Sequence, residues 1–313
     1  MPGRPTVCVF TPAPLLEISV ESTLAGDEEL HLHPGGQGFW VGRMATTLGA
    51  EVALCAPFGG ETGEVLRHLL EDSGITIHDV PMPSPSGGYV HDRRNGEQRE
   101  LWHAELEVLG RHQLDELYTV TLAAGIAAGV CVLTGTHLQE IIEPDTYRRL
   151  ASDLTANGTR VVADLSGPLL EAGLEGGIHI LKLSHEELVE GGWAEGDSEG
   201  EILSGIGRLR SAGAQNVVVS MADDGSIAYL GEWLRVKPPA MEVVEHRGAG
   251  DSMTAALAVA HAKGLGAEAA VRLAAAAGAV NVTRHGLGTG RADAIEQLAA
   301  NVDVERLAVG KSQ

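Results

Sequence analysis

Gly248-Ala249-Gly250-Asp251 is the stretch whose residue types point most directly to chemistry. It runs straight into Ser-Met-Thr-Ala-Ala-Leu-Ala-Val-Ala-His-Ala-Lys, an alanine-rich segment of high helix propensity. A Gly-x-Gly turn opening into a helix bares backbone N–H groups with no Cβ in front of them. Backed by the helix dipole, it forms an anion hole suited to a phosphoryl group. Asp251 stands in the first helical turn. There the positive helix end is expected to keep it ionised at neutral pH, able to take a proton from an alcohol. The same four residues also read as a loop with an N-capping aspartate, and the tetrapeptide alone does not separate the two. A dinucleotide fingerprint fits less well, since it would follow the first strand and continue Gly-x-x-Gly. No Gly-x-x-x-x-Gly-Lys-Ser/Thr occurs in the sequence.

The elements that must position this turn alternate along the chain. Continuous apolar runs predict strands at Thr6–Phe10, Glu51–Ala56, Gly129–Leu133, Arg160–Asp164, His179–Leu183, Asn216–Ser220 and Ser226–Leu230. Helical patterns lie at Glu61–Asp72, Pro144–Asn157, Gly200–Ala212, Asp251–Lys263 and Ala267–Arg284. Several of these stop at a glycine able to take positive φ, among them Gly74, Gly158, Gly213 and Gly264. This βαβα order predicts an α/β fold, a doubly wound and mostly parallel sheet flanked by helices. Two polar, partly alternating segments, 15–34 and 86–103, break the rhythm and predict a small β lid over the site. The expected organisation is one domain, 1–313, carrying these two excursions.

The chain has 43 acidic against 22 basic residues, a net charge of −21, which disfavours nucleic acid and anionic membrane as partners. It also works against an anionic substrate unless local cations offset it. Cys8, Cys55 and Cys131 each sit in a short apolar run without C-x-x-C spacing, as buried reduced thiols would. With no leader-like apolar region at the start and no run near the ~18 residues of a membrane span, the sequence suits a reducing cytoplasm.

Motifs in order along nearly the whole chain resemble the ribokinase-like (PfkB) carbohydrate kinases. Gly35-Gly36-Gln37-Gly38 with Arg43–Gly49 is similar to the family's first Gly-Gly-x-Gly helix start, and Phe58–Gly63 to its Gly-x-x-Gly step. Leu133–Thr136, Asp164-Leu-Ser166-Gly167, Lys182–Leu188, Ser220–Gly225 and Gly248–Asp251 follow in the family's order. Within the family the motifs look most like the 1-phosphofructokinase and tagatose-6-phosphate kinase branch. The resemblance implies ATP and Mg2+, a small sugar-like acceptor and a homodimer. It implies Gly248, Ala249 and Gly250 as the anion hole and Asp251 as the base. Lys182, Ser184, Ser220, Gly225 and Arg247 would border the nucleotide, Glu187 would hold the metal through water, and Gly35, Gly36, Gln37 and Trp40 would border the acceptor. Lys182 also reads as a strand-end charge, and Glu187 as a helix N-terminal acid.

Departures from the family cluster on the acceptor side. The branch's first-turn lysine is Gln37 here and its sugar-binding asparagine is Trp40; its N-terminal aspartate is Leu15. Its lid arginine and lysine are Gly87 and His91. Nearer the nucleotide, Ser184 replaces an asparagine, and Glu245-His246-Arg247 replaces a mostly uncharged run. Each charged hydrogen bond lost to a sugar phosphate would be worth roughly 1.5–3 kcal/mol. The expectation is a kinase with intact chemistry and an altered, uncharged acceptor that offers an apolar or planar face to Phe39 and Trp40, such as a nucleoside or an unphosphorylated sugar. Two alternatives stand beside it. One is a phosphofructokinase whose phosphate is held by Arg93, Arg94 or Arg99; the other is a ligand-binding member without turnover.

Overall fold

A computed structural model of the chain describes every residue except 1–2, 24–25, 72, 96–97, 105–106, 137–140, 243–246, 284–286 and 309–313. Asp72, Arg284, Glu245 and His246 therefore lie outside the described residues. The first half of the chain forms β1 (Thr6–Phe10), β2 (Leu15–Ser22), β3 (Glu28–Gly35), α1 (Gln37–Thr47), β4 (Glu51–Gly59), α2 (Gly60–Glu71), β5 (Ile75–Met82), β6 (Gly87–Asp92), β7 (Arg99–Ala104), α3 (Arg111–Ala128) and β8 (Val130–Thr134). The second half forms α4 (Pro144–Ala156), β9 (Arg160–Asp164), α5 (Gly167–Gly176), β10 (Ile178–Ser184), α6 (His185–Glu190), α7 (Glu199–Ala212), β11 (Ala214–Ser220), β12 (Ser226–Tyr229), β13 (Trp233–Lys237), α8 (Ala249–Ala262), α9 (Ala267–Val282), α10 (Ala292–Ala299) and β14 (Asp303–Arg306).

Ten strands make one sheet in the order β14-β13-β12-β11-β10-β9-β8-β1-β4-β5. From β11 to β5 every neighbour is parallel, and β12, β13 and β14 add an antiparallel edge. The chain winds from β1 through β4 to β5. It then returns to the other side of β1 and winds away through β8, β9, β10 and β11. The reversal falls between β1 and β8, and the crevice at the carboxyl ends of such strands is where open α/β sheets take ligands. Alternate side chains of the buried strands feed two cores. Val9, Leu54 and Val132 meet α1, α8 and α9 on one face, whereas Phe10, Leu133 and Leu181 meet α3, α4 and α5 on the other. The three cysteines are free and buried on adjacent strands, with the sulfurs of Cys8 and Cys55 3.8 Å apart.

Every residue of α8 from Asp251 to Ala260 is buried. Its small side chains let it lie between α9 and the strands β1, β8, β9 and β10, which brings its N-terminus to the crevice. Some elements go beyond the sequence expectation: α3, α5, α10 and the strands β5, β13 and β14. Helix α3 carries no clean apolar stripe, because Gly125 makes room there for Leu154 and Cys131 of the neighbouring elements. Strand β5 is an edge strand, so its polar His78 and Asp79 break the apolar pattern.

The segments 15–34 and 86–103 form a separate four-stranded sheet, ordered β3-β2-β6-β7. Its two faces differ. Leu32, Ile18, Val90 and Trp102 stand opposite one another across the four strands, and so do His33, Glu17, Tyr89 and His103 on the other face. Among the described residues no helix is long and apolar enough to cross a membrane.

Candidate active site

Gly248 begins the site. Its φ of 77° is left-handed, and it caps α8 with its carbonyl accepting from Ser252 N–H at 3.0 Å. Its surroundings leave no space for a side chain, since a Cβ would lie 3.2 Å from Leu287 and 3.3 Å from Asn281. Asn281, fully buried in α9, ties this turn down from both sides. Its Nδ2 donates to the Arg247 carbonyl at 2.7 Å and its Oδ1 accepts from Gly288 N–H at 2.9 Å. The turn is thus held by a side chain of the following helix together with Ser252, whose hydroxyl donates to the Gly248 carbonyl at 2.7 Å.

Below the turn, Asp164 at the end of β9 and Lys182 near the end of β10 supply charge. Lys182 Nζ lies 3.6 Å from Asp164 Oδ2, and both side chains are about 6% exposed. Thr254, one turn into α8, donates to Asp164 Oδ2 at 2.8 Å. Lys182 also reaches directly under the helix start, where a Cβ on Gly250 would overlap its ammonium.

Asp251 is buried, with 9% of its surface exposed. Burial first, and then the Asp164 carboxylate, push its pKa up to about 7, against the pull of Lys182 and of a hydrogen bond from Gln37. The sequence expectation of a carboxylate held ionised by the helix end is therefore corrected. Desolvation outweighs the dipole, and Asp251 titrates near neutrality, where a general base is most effective. Burial alone would lower the Lys182 pKa, but Asp164, Glu187 and Asp251 together raise it, so the ammonium stays charged.

Gln37, expected toward the acceptor, has its Oε1 accepting from Gly135 N–H at 2.7 Å. Gly36, with φ 91°, starts α1, and a Cβ there would stand 2.8 Å from the Ala13 carbonyl. Gly35 ends β3 beside it. Ser184 is also redirected, because its hydroxyl caps α6 by accepting from Glu187 N–H at 3.2 Å. Glu187 returns the bond to Ser184 N–H through Oε2 at 2.7 Å, which leaves its second oxygen uncommitted by this box. Ser220 pairs in register with Ser184 at the neighbouring strand end. Gly225, φ 87°, closes the β11–β12 turn against the Val236 carbonyl. Arg247 extends to the Gln98 side chain by the β6–β7 hairpin.

A cavity of about 270 Å³ opens beside this centre and does not itself include Asp251. Trp40, Arg43 and Leu287 form one wall, and Glu17, His33 and Arg93 of the four-stranded sheet form the other. Of the three arginines weighed for a phosphate, only Arg93 lines it. Arg94 and Arg99 are paired with Asp92 on the sheet's opposite face. His91 is spent on Glu17 at 3.3 Å and Gln98 at 3.0 Å. Arg43, which the sequence shows only as the start of the Arg43–Gly49 segment, is exposed and donates to the Leu287 carbonyl at 3.5 Å. Asp164, Thr254 and Asn281 were likewise given no role. Asp164 was visible inside the Asp-Leu-Ser-Gly motif, whereas Asn281 had no local signal.

No group of three or more metal-ligating side chains occurs among the described residues. The spare oxygen of Glu187 suits a metal that arrives on a nucleotide, as Mg2+ commonly does.

Residues 15–294 match the model of the pfkB family carbohydrate kinases. The chain is 30% identical to the ATP-dependent 6-phosphofructokinase isozyme 2 of Mycobacterium tuberculosis, over 99% of this chain and 94% of that one. It is 27% identical to the 1-phosphofructokinase of Vibrio cholerae, over 88% and 87%. Among solved structures, phosphofructokinase-2 from Escherichia coli in complex with fructose-6-phosphate superposes with a TM-score of 0.82 at 25% identity, covering 96% of this chain and 99% of that one. Ribokinase of Arabidopsis thaliana, complexed with ribose and ATP, gives 0.73 at 20% identity over 95% and 99%, a likeness of fold.

Proposed function

The chain belongs to the pfkB family of carbohydrate kinases and has the ribokinase-like fold, and from that premise we propose that it transfers the γ-phosphoryl group of ATP to an alcohol of a sugar or sugar-like molecule, with Asp251 as the base. The observation that carries this reading is the glycine turn of Gly248–Gly250 directly over Lys182, with Asp251 buried beside it. Asp251 takes the proton of the acceptor hydroxyl as its oxygen bonds to the γ-phosphorus. The bond from that phosphorus to ADP breaks, and the backbone N–H groups of the turn and the Lys182 ammonium carry the negative charge. Mg2+, brought with the nucleotide and reached by Glu187 through water, would neutralise phosphate charge.

The acceptor is uncharged. Gln37 is held by Gly135 N–H and His91 by Glu17, and Gly87 and Leu15 offer no charge. The cavity lining sets Glu17 and Glu21 against Arg43 and Arg93, with no excess of positive charge. A second reading, a phosphofructokinase, is favoured by Arg43, which meets no carboxylate in an ion pair among the described residues and faces the cavity, and by the names of the relatives. ADP release across hexose phosphates and their unphosphorylated counterparts decides between them. A hexose phosphate turned over near 10⁵ M⁻¹s⁻¹, within the common enzyme range, would overturn the first reading and establish the second. No ADP release with any alcohol would overturn both.

The four-stranded sheet serves as a lid, polar toward the cavity and apolar outward. Leu30 and Trp102, on its outer side, are 62% and 58% exposed. A second copy covering that face gives a homodimer, and light scattering that returned a 32.7 kDa particle at assay concentration would refute it. The reduced cysteines and the absence of a spanning helix among the described residues are consistent with the cytoplasm.

A further inference from the structure

We propose that Thr254 is a positioning residue for phosphoryl transfer: its hydroxyl fixes Asp164, and Asp164 in turn holds the Lys182 ammonium beneath the glycine turn. The inference rests on the kinase reading above and adds a residue to it.

The placement begins with strand register. Asp164 and Lys182 stand opposite each other on the neighbouring parallel strands β9 and β10, so both side chains leave the sheet on the same face. Helix α8 packs against both strands. Gly250 and Thr254 are four residues apart in α8 and share one side of it. A helix advances about 6 Å over that interval, and neighbouring strands lie about 4.8 Å apart. The two spacings match well enough for each helix residue to meet its own strand. Gly250 lies over Lys182, where a Cβ would overlap Nζ, and Thr254 meets Asp164.

The Thr254 hydroxyl donates to Asp164 Oδ2 at 2.8 Å. The Lys182 ammonium faces that same oxygen at 3.6 Å, close enough to pair but beyond hydrogen-bond length. Attraction between the two charges sets no direction by itself. The hydroxyl does, by deciding which oxygen the lysine meets and where it stands. A hydroxyl has one hydrogen to give, and the Gly250 carbonyl, at 3.0 Å, is the competing acceptor. The carboxylate is nearer and makes the stronger bond. Thr254, Asp164 and Lys182 are 0%, 5% and 5% exposed, so water does not replace a lost donor. Without the hydroxyl, Asp164 is free to turn and the ammonium follows it. Charge developing on the transferring phosphoryl group would then meet a displaced cation. Being fully buried, Thr254 acts through Asp164 and not on the substrates.

The test is a double-mutant cycle in the full-length protein, with kcat read from ADP release on an accepted alcohol. Valine keeps the shape of threonine and removes the hydroxyl, whereas serine keeps the hydroxyl. Thr254→Val should lower kcat by roughly 10- to 100-fold, as for a displaced catalytic group. KM for ATP should stay within about threefold, and Thr254→Ser should keep kcat within about threefold of wild type. In an Asp164→Asn background the amide no longer holds the lysine by charge, and adding Thr254→Val should cost no more than about twofold. An equal loss in both backgrounds would assign the hydroxyl to the Gly250 carbonyl and overturn the role. So would a serine variant as slow as the valine one. The valine and serine variants leave every buried charge in place, so they decide the matter even if Asp164→Asn does not fold. Urea unfolding separates a merely structural bond: a lower midpoint in Thr254→Val with wild-type kcat overturns the positioning role and leaves the kinase reading intact. No ADP release by wild type with any alcohol would overturn the kinase reading and the role of Thr254 with it.

Discussion

The turn at Gly248–Asp251 and the inner face of the four-stranded sheet confront the same crevice, yet they are held in different ways. The turn is fixed from behind. Asn281, Thr254, Asp164 and Lys182 are all buried and bonded to each other or to backbone around it. The sheet face is a set of side chains bonded mostly to one another, with Glu17 shared between the buried His91 and the partly exposed Arg93, and Arg93 shared with Gln98. Replacing a residue in the first region opens a buried charge or a backbone clash. In the second, the outer contacts of Arg93 can be exchanged at less cost. The difference teaches why reaction and acceptor can part company: phosphoryl transfer is tied to the fold, and the choice of acceptor is not.

The largest break in this comparison should come from Asp251→Asn. Turnover should fall by roughly 10²–10⁴ on any acceptor, the range for a lost general base, while ATP still binds. More than a tenth of wild-type kcat would remove Asp251 from the role. The same variant tests the burial argument through stability. The folded-state pKa is raised to about 7, above the ordinary ~3.9 of an unfolded aspartate. The folded state therefore holds the extra proton between those values, and stability falls as pH rises through the window. Asn carries no such penalty. It should melt higher than wild type at pH 8, by something on the order of 1–3 kcal/mol, with the gap closing toward pH 4. Equal melting temperatures at pH 8 would mean that the charge is not penalised by burial.

Gly250→Ala should come next. Its Cβ would displace the Lys182 ammonium, which is buried and paired with Asp164. We expect a stability loss of roughly 1–3 kcal/mol, as for a disturbed buried ion pair, and about a tenfold or greater loss of kcat. Retention of both would show that the lysine has room to move and that the corner is less rigid than its contacts imply.

The contrast between regions also governs what the sequence reveals. Gly248–Asp251 and the strand ends are legible because backbone conformation demands particular residues there, as Gly248 does at φ 77°. The buried strands betray themselves by continuous apolar runs, and β9 falls where the pattern puts it, at Arg160–Asp164. Side-chain direction is not legible in the same way. Gln37 is drawn to the end of β8 because Gly135 N–H captures its oxygen 98 residues along the chain, and no local pattern encodes that meeting. The ionisation of Asp251 was misjudged for a related reason. A helix start is visible in sequence, but Asp164 beside it and complete burial are tertiary facts. Asn281 lies in no glycine motif, and the direction of Arg43 toward the cavity is again a tertiary fact.

Trp40→Ala addresses the acceptor wall. Trp40 lines the cavity with Arg43 and Leu287, and its backbone is packed on Gly288. Losing the ring should raise KM for an uncharged acceptor about 2- to 13-fold, the equivalent of ~0.5–1.5 kcal/mol of aromatic packing, and leave kcat near wild type. A fall in kcat with KM unchanged would place Trp40 under the catalytic turn and blur the distinction between the two regions.

Glu187→Gln should have the smallest effect on turnover, and it separates two jobs of one side chain. Oε2 of Glu187 accepts from Ser184 N–H while Ser184 Oγ accepts from Glu187 N–H, a capping box that starts α6. Glutamine fills the same box as well as glutamate does, so the helix start and the melting temperature should be unchanged. What glutamine cannot supply is the negative charge that acts on Lys182 and Asp251 from this side. If Glu187 serves the metal through water, the Mg2+ concentration for half activity should rise by up to about tenfold, as for partners that touch a metal indirectly. At saturating Mg2+, kcat should return to within about twofold. An unaltered Mg2+ response with unaltered stability would confine Glu187 to the capping box, and the metal would then depend on the nucleotide phosphates and solvent alone.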